Sequence, residues 1–297
     1  DFINAYVTGN VGTTFTASGA CATFLYNMRA AVQDMQAGRI RVAIVGSAEA
    51  ALTPEVVEGF GNMSALANEE GLKRLDGTDT VDHRRTSRPF GENCGFTIGE
   101  GAQFAVLMDD QLALEMGAQV MGAVADVFVN ADGFKKSITA PGPGNYITMA
   151  KSVALAKSIL GSDALEQRSF ILAHGSSTPQ NRVTESLIYD RIADSFNISN
   201  WPVAAPKAFV GHTIGPASGD QLAMALGVFA HNIMPGVTTI DKVADDVYDE
   251  RLNISTTDNK VGEEQLEVAF LNSKGFGGNN ATATVLAPHV VERMMDK

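Results

Sequence analysis

An α/β fold of alternating helical and sheet layers is predicted for this chain of 297 residues. Short β-rich runs alternate with segments of helical period along most of the sequence, which is typical of layered α/β folds. Apolar residues make up 45% of the chain, which is ample for a globular core. The sequence has no repeat of solenoid length and no low-complexity tract. These observations disfavour a β-sandwich, a helical bundle and a disordered chain.

Three helices and six strands are predicted from hydrophobic period. The first helix begins beside Cys21 and ends at Gly38, and its apolar residues recur every three or four positions at Leu25, Met28, Val32 and Met35. The two later helices are predicted over residues 146–160 and 217–232. The predicted strands cover residues 42–45, 104–108, 120–129, 170–173, 268–272 and 281–286.

The most polar stretch, residues 68–88, is predicted as a long surface loop. It concentrates positive charge on a chain whose formal net charge is −12. A solvated loop is the simpler interpretation, and a docking patch for an acidic partner is the alternative. The basic residues of this stretch are Lys73, Arg74, His83, Arg84, Arg85 and Arg88.

The net charge and the short apolar runs disfavour a nucleic-acid-binding protein and a membrane-spanning protein. A pI near 4.8 makes nucleic acid an improbable partner. The longest unbroken apolar run, residues 222–230, is far shorter than the roughly 18 residues that a membrane-spanning helix needs. Residues 1–10 show no basic-then-apolar signal, so export is not expected, and the two cysteines suit a reducing compartment. We therefore expect a cytoplasmic protein without a membrane or nucleic-acid partner.

Cys21 is the first candidate for chemistry. It lies in TASGACATF, where small residues lead into the first predicted helix. A thiol at a helix N-terminus lies near the positive end of the helix dipole and free N–H groups, and both favour the thiolate. A small buried hydrophobe is the alternative interpretation of such a cysteine. Cys94, in GENCGF, has no comparable helix signal and is interpreted as structural.

Two of the five histidines lie where functional groups of α/β folds gather. His174 ends the apolar run SFILAH, and His212 precedes the third helix in KAFVGHTIGPASG. Each alone is also compatible with a structural histidine, and zinc binding is a minority interpretation because no local ligand pair occurs. The glycine-rich segment SKGFGGNN fits either a phosphate cradle or an oxyanion hole. The residues alone therefore predict a cysteine nucleophile assisted by histidine, with the reaction left open.

Six sequence blocks together resemble the β-ketoacyl-acyl-carrier-protein synthases, in the same order and at similar separations. The elongating branch of these enzymes, or a long bacterial subgroup that starts fatty-acid chains, is more similar than the branch with a Cys-His-Asn triad. The blocks are GACATF around Cys21, GSAEAALTPEVVEGFGNMSALA from Gly46, FTIGEGA from Phe96, HGSSTP from His174, KAFVGHTIG from Lys207 and NSKGFGGNNA from Asn272.

The resemblance implies the thiolase fold, with layers in the order αβαβα and two similar halves. Residues 1–116 would be the remainder of the N-terminal half, and residues 117–297 the C-terminal half. In this family the nucleophile normally follows most of the first half, whereas here it is residue 21. We therefore expect an uncovered sheet edge and exposed apolar surface. The family also implies a homodimer.

The resemblance further implies the catalytic roles. Cys21 would accept an acyl group from a thioester, and His174 and His212 would stabilise charge while a malonyl thioester loses its carboxylate. Lys207 would support the charge arrangement of the site. Backbone N–H groups of Cys21 and Phe276 would form the oxyanion hole.

The substrate-binding residues and partners follow from the same resemblance. Ser176 and Thr178 match hydroxyls that bind the pantetheine arm, and Phe276 and Gly277 belong to the turn beside the acyl pocket. An acyl carrier protein would be the partner, bringing acyl and malonyl thioesters, and residues 73–88 would receive it by complementary charge. No metal or other cofactor is expected.

Two positions depart from the family pattern. Arg182 stands where the family has an Asp eight residues after the first histidine, and Gln221 where it has a Glu nine residues after the second. The segment RPFGENCGF before the FTIGEGA block is also shorter than usual. These changes affect the network of ion pairs expected around the catalytic residues.

The alternative function is a non-catalytic partner subunit that shapes the acyl pocket of an active synthase. A thiolase or a cysteine hydrolase fits less well.

Overall fold

Helices and strands alternate along the chain, as the sequence predicts. The protein is described by a computed structural model over residues 2–9, 11–134, 142–261 and 266–295. The helices are α1 Phe2–Tyr6, α2 Thr23–Gln36, α3 Pro54–Asn62, α4 Glu69–Asp76, α5 Asp110–Glu115, α6 Gly144–Leu160, α7 Ser162–Gln167, α8 Pro179–Ser195, α9 Lys207–Val210, α10 Ala217–His231 and α11 Pro288–Met295. The strands are β1 Val42–Glu49, β2 Gly101–Met108, β3 Ala123–Ala131, β4 Ser169–Leu172, β5 Trp201–Ala204, β6 Ile233–Met234, β7 Leu252–Asn253, β8 Asn259–Lys260, β9 Val268–Gly275 and β10 Asn279–Leu286.

The larger sheet has six strands in the order β3-β10-β9-β4-β5-β7. Strand β4 is parallel to both of its neighbours, β9 and β5, whereas β9 and β10 form an antiparallel hairpin through the turn that follows Gly275. The carboxyl ends of β4 and β9 therefore lie at the same edge of the sheet. His174 follows β4 at this edge, and Phe276 follows β9.

The smaller sheet pairs β1 with β2 in antiparallel register, with Val42 opposite Met108. Helices α2 and α10 lie between the two sheets, because α2 contacts β1 and β3 while α10 contacts β2 and β9. Helix α6 covers the other face of the larger sheet and packs beside α8. This sheet–helix–sheet–helix order confirms the predicted layered α/β architecture, and it buries Cys21 between the layers.

The predicted strands are all present, with β3 starting at Ala123 instead of residue 120. All three predicted helices are present too. The predicted loop over residues 68–88 is wrong in its first half, because α4 forms there: the Asn68 side chain accepts a hydrogen bond from the Gly71 N–H, and Gly77 ends the helix at φ 64°. The other helices, including the long helix α8, and the short strands β5 to β8 are absent from the prediction.

Strand β1 has an uncovered edge. Its only partner among the described residues is β2, whereas strand β9 of the larger sheet is paired on both sides. Apolar side chains of both strands are exposed, with Val106 at 59%. The expected open sheet edge and apolar surface are therefore confirmed, and the exposed residues are Val42, Ile44, Phe104 and Val106.

None of the helices in the described ranges combines the length and apolar character that crossing a bilayer requires.

Candidate active site

Cys21 lies in a tight turn and is buried in the interior of the protein. Residues Ala20–Ala22 form a 3-10 turn that runs directly into α2, and Ala20 takes the left-handed region at φ 51°. The Thr23 hydroxyl braces the turn, because its oxygen accepts the Gly19 N–H and its proton goes to the Ala20 carbonyl. A non-glycine residue in this region is strained and persists only where its surroundings hold it.

Strand β9 closes over this turn. The Ser273 hydroxyl donates to the Cys21 carbonyl at 3.0 Å. A Cβ atom on Gly275 would lie 2.1 Å from the Gly19 carbonyl oxygen, so only glycine permits this approach of the two backbones. The approach brings the N–H of the next residue, Phe276, to the Cys21 sulfur.

Burial sets the protonation state of Cys21. It raises the pKa of the thiol to about 11, and it outweighs the opposing effects of the Lys207 charge and of the Phe276 and Cys21 backbone N–H groups. The backbone N–H groups at the start of the helix do favour the thiolate, as predicted, but burial outweighs them. The Cys21 thiol keeps its proton at neutral pH and must lose it when it reacts.

The two candidate histidines meet edge to face. The ring centroids of His174 and His212 lie 5.5 Å apart, at an interplanar angle of 89°. The Nδ1 atom of His174 accepts the Lys274 N–H at 3.4 Å, and the Nδ1 atom of His212 accepts the Ile214 N–H at 3.2 Å. Since Nδ1 is an acceptor in both rings, the proton of each neutral ring is on Nε2.

Both imidazoles are neutral. Burial holds the pKa of His174 and of His212 well below the usual 6.5, and the nearby Lys207 charge lowers both further. The backbone at His212 is fixed by the FTIGEGA block, because its N–H donates to the Thr97 carbonyl at 2.7 Å. The site therefore presents two fixed Nε2–H donors.

Lys207 lies at the start of α9 and is 3% exposed. Its Nζ donates to the His174 carbonyl at 2.5 Å, and burial lowers its pKa to about 8 although the nearby Glu185 carboxylate acts in the opposite direction. Lys207 thus joins the ends of two parallel strands. The four residues proposed as catalytic from the sequence, Cys21, His174, Lys207 and His212, lie in one cluster.

A cavity of about 350 Å³ opens on Cys21 and His212. The hydroxyls of Ser176 and Thr178 line it and lie 3.1 Å from each other. Phe276 lines it as well, beside Phe60 at a centroid distance of 6.2 Å. Gly277, in contrast, is exposed in the β9–β10 turn at φ 88° and forms no part of the wall built by the described residues.

Glu185 is a site residue that the sequence analysis missed. It is fully buried in α8, and its carboxylate accepts the N–H groups of His174 at 2.6 Å and Gly175 at 2.9 Å. It also accepts the Tyr189 hydroxyl and the Asn181 amide, both at 2.6 Å. Glu185 therefore fixes the backbone that carries His174. No local motif marked it, since it looks like an ordinary helix-surface acid.

The two departures from the family pattern have their own partners. Arg182 donates twice to Asp246, at 2.7 and 2.9 Å, and once to the Gly91 carbonyl at 3.2 Å. The Gln221 amide nitrogen lies 2.7 to 3.0 Å from three backbone carbonyl oxygens, two at the carboxyl end of β4 and one inside β9. A buried guanidinium and an amide thus link the segments around the site. The three carbonyls belong to Leu172, Ala173 and Asn272.

Several basic side chains of the 68–88 stretch are held in ion pairs, and one of them is buried. Arg88 is buried and donates twice to Asp76, at 2.6 and 2.7 Å. Arg85 pairs with Asp241 at 2.8 Å. Arg84 is 90% exposed and pairs with Asp82 at 3.1 Å. The prediction that Arg88 belongs to a surface patch is therefore wrong.

Metal ligands do not gather in the described part of the chain: no group of three His, Cys, Asp or Glu side chains there has a geometry that could hold an ion.

Two family models match this chain. The model described as Beta-ketoacyl synthase, N-terminal domain, covers residues 4–113, and the C-terminal domain model of the same family covers residues 121–241. The chain belongs to the β-ketoacyl synthase family. The resemblance drawn from the six sequence blocks is thereby confirmed.

Known relatives agree with this family. The beta-ketoacyl-[acyl-carrier-protein] synthase FabY of Pseudomonas aeruginosa is 59% identical over all 297 residues, which match 47% of its length. The 3-oxoacyl-[acyl-carrier-protein] synthase 2 of Synechocystis is 30% identical over 267 residues, 89% of this chain and 59% of that protein. The chain thus spans about half the length of the curated relatives it matches.

Solved structures confirm the thiolase-like fold. The crystal structure of the noncanonical ketosynthase FabY from P. aeruginosa superposes with a TM-score of 0.97, covering 99% of this chain and 46% of that chain. A type II polyketide ketosynthase solved in complex with its acyl-carrier protein reaches 0.77 at 20% identity, over 93% of this chain and 63% of that chain. That more distant likeness concerns the fold alone.

Proposed function

We propose that this protein is a β-ketoacyl-acyl-carrier-protein synthase, an acyltransferase that joins an acyl thioester to malonyl-carrier protein by decarboxylative condensation in fatty-acid synthesis. The observation that carries the proposal is the pairing of a buried cysteine with two neutral imidazoles whose Nδ1 atoms are occupied by backbone N–H groups. Cysteine supplies a nucleophile, and the two Nε2–H groups supply donors for a developing oxyanion.

Acyl transfer comes first. The Cys21 sulfur attacks the carbonyl carbon of the acyl thioester, a new C–S bond forms, and the bond to the donor sulfur breaks. The departing thiolate takes the proton that Cys21 gives up. The backbone N–H groups of Cys21 and Phe276, which lie beside the sulfur, donate to the carbonyl oxygen while it carries negative charge. Each such donor is worth about 3 kcal/mol of transition-state stabilisation.

Decarboxylation follows on the second thioester. The malonyl group loses carbon dioxide, and the electron pair of the broken C–C bond forms an enolate. The Nε2–H groups of His174 and His212 donate to the enolate oxygen, an interaction that strengthens as charge develops. Lys207 supports this arrangement in two ways, since its charge favours anions and helps keep both imidazoles neutral.

Condensation completes the cycle. The enolate carbon attacks the carbonyl carbon of acyl-Cys21, a C–C bond forms and the C–S bond to Cys21 breaks. The Cys21 thiolate then recovers a proton from solvent. Ser176 and Thr178 bind the pantetheine arm of the incoming thioester in this proposal, Gly277 allows the turn that carries Phe276, and no cofactor takes part.

Partners and assembly belong to the same proposal. An acidic acyl carrier protein docks near Arg84, a basic residue of the 68–88 stretch whose side chain is 90% exposed. We propose that the protein is a homodimer and that the exposed apolar side chains of β1 and β2 are covered in it. Within each chain, residues 1–116 belong to the N-terminal half of the fold and residues 117–297 form the C-terminal half. A non-catalytic partner subunit is disfavoured, because such a subunit has no use for an intact nucleophile site.

Covalent labelling tests the proposal against the non-catalytic subunit. The full-length protein is incubated with an acyl thioester, and its intact mass and tryptic peptides are measured. We expect a single acyl adduct on Cys21, absent from the Cys21→Ala variant and unchanged in a Cys94→Ala control. No adduct on Cys21 in the wild-type protein would contradict the proposed enzyme and favour the partner subunit.

A further inference from the structure

Asn145 lines the cavity that contains Cys21, and its side-chain amide is unpaired among the described residues. It lies in the first turn of α6 and is 1% exposed. Within the described part of the chain, neither its Nδ2 nor its Oδ1 atom has a hydrogen-bond partner, although both are buried and the residue lines the cavity. Buried amides are nearly always paired, so an unpaired one beside a reactive centre calls for a ligand.

The backbone at Asn145 is held firmly in place. The Gly144 N–H donates to Asp132 at 3.1 Å, and the Asn280 amide donates to the same carboxylate oxygen at 2.8 Å. A Cβ atom on Gly144 would lie 2.5 Å from the Asn280 amide nitrogen, so the segment cannot shift toward β10. The Thr148 hydroxyl donates to the Asn145 carbonyl at 3.1 Å. The amide is therefore pre-positioned.

The cavity has two unlike walls. Phe60, Phe96 and Phe276 form an aromatic wall on the side of Cys21 and His212. Asp132, Asn145 and Asn280 form a polar wall where α6 begins. An acyl hydrocarbon would leave the polar wall without hydrogen bonds, and such a mismatch is costly. The polar wall therefore suits a polar part of the substrate.

We infer that Asn145 binds the amide groups of the pantetheine arm of the thioester. This inference rests on the proposed function, because it takes the thioester as the substrate. The arm carries two secondary amides. The Asn145 Nδ2 donates to a carbonyl oxygen of the arm, and its Oδ1 accepts an amide N–H. This contact adds to that of the Ser176 and Thr178 hydroxyls, which lie on the segment after β4.

Asn145→Leu tests the inference in the full-length protein. The variant keeps the shape of the side chain and removes both polar atoms. Acylation of Cys21 is followed by mass spectrometry with two probes, acetyl-pantetheine and S-ethyl thioacetate, which lacks amides. We expect the preference of the wild type for acetyl-pantetheine to fall about fivefold to tenfold, the loss of one or two net hydrogen bonds. The melting temperature should stay equal or rise, since the change removes an unpaired buried amide.

Thr184→Val is the matched control. Thr184 also lines the cavity, but its hydroxyl already donates to the Gln180 carbonyl at 2.8 Å within α8. Its probe preference should match that of the wild type. Acylation with an unchanged preference in Asn145→Leu, or a lowered melting temperature with equal loss on both probes, would overturn the inference and leave the proposed function standing. No acylation of wild-type Cys21 by either probe would overturn both.

Discussion

The two sheets of this protein are built differently around one shared site. Strand β9 of the larger sheet is paired on both edges, and its first six residues are buried. Strand β1 of the smaller sheet is paired on one edge, and only Val45 in it is buried. The larger sheet therefore carries its own hydrophobic core, whereas the smaller one leaves apolar surface exposed.

The nucleophile nevertheless belongs to the region of the smaller sheet. Cys21 precedes α2, which packs between the sheets, while His174, Lys207, His212 and Phe276 all come from the C-terminal region. The fixed groups of the site are thus held by strands that are paired on both edges, and the turn at Cys21 is positioned by its contact with β9. Changes at this contact should thus matter more than changes on the exposed sheet.

Gly275→Ala breaks the contact and should have the largest effect. The added Cβ would lie 2.1 Å from the Gly19 carbonyl, so β9 and the Cys21 turn must separate. Overpacking of this kind costs about 1–3 kcal/mol of stability, and a displacement of about 1 Å at a reacting group costs roughly a hundredfold in rate. Thermal unfolding and the rate of Cys21 acylation measure the two effects.

Gly59→Ala provides the control in the N-terminal region. Gly59 lies inside α3, and a Cβ there would meet nothing within 4 Å. The substitution should stabilise the helix by up to about 1 kcal/mol and leave acylation unchanged. Equal acylation rates in the Gly275 and Gly59 variants would refute the role given to the contact.

Lys207→Met should have an intermediate effect that depends on pH. The ammonium group lowers the pKa of Cys21, which burial raises to about 11, so its removal raises that pKa further. Alkylation of Cys21 by iodoacetamide at pH 7.5 should fall about tenfold for each unit of that rise. The difference from wild type should shrink above about pH 8, where Lys207 itself loses its proton.

Lys151→Met is the control for the loss of a charge, because Lys151 is an exposed residue of α6. Its alkylation profile should overlay that of the wild type. If the Lys207 variant also overlaid it, the ammonium would have no influence on the thiol.

Arg84→Glu should have the smallest effect, on association alone. Arg84 is exposed and pairs with Asp82 at the surface, so the fold should tolerate the change. The association rate with an acidic carrier protein should fall severalfold at low salt, and the difference should close at high salt. Stopped-flow measurements at several salt concentrations test this, with Arg39→Glu, exposed after α2, as the same charge change elsewhere. Identical rates for both variants would show that Arg84 does not contact the carrier protein.

Sequence period predicted the helices and strands whose buried faces are apolar. Helix α2 is an example, since Leu25, Met28 and Val32 are buried at the predicted spacing. Helix α8 was missed because its buried face is polar: Arg182, Glu185 and Asp190 point into the protein and obscure the apolar pattern. Such residues are paired through contacts that only the folded chain creates.

The candidate site divides in the same way. Cys21, His174, Lys207 and His212 could be proposed from motifs, because each lies at the end of a recognisable segment. Glu185 and Asn145 could not, since the burial of one and the missing partners of the other arise from tertiary packing. The raised pKa of Cys21 was also beyond the sequence, because burial opposes the local effect of the helix terminus.

The most direct test of the account separates the two half-reactions. Carbon dioxide release from malonyl-carrier protein and formation of the condensation product are measured for Cys21→Ala, His174→Ala and His212→Ala in the full-length protein. We expect that Cys21→Ala forms no product but still decarboxylates the malonyl group, and that each histidine variant accepts an acyl group on Cys21 but loses decarboxylation. Product formation by Cys21→Ala, or normal decarboxylation by both histidine variants, would contradict it.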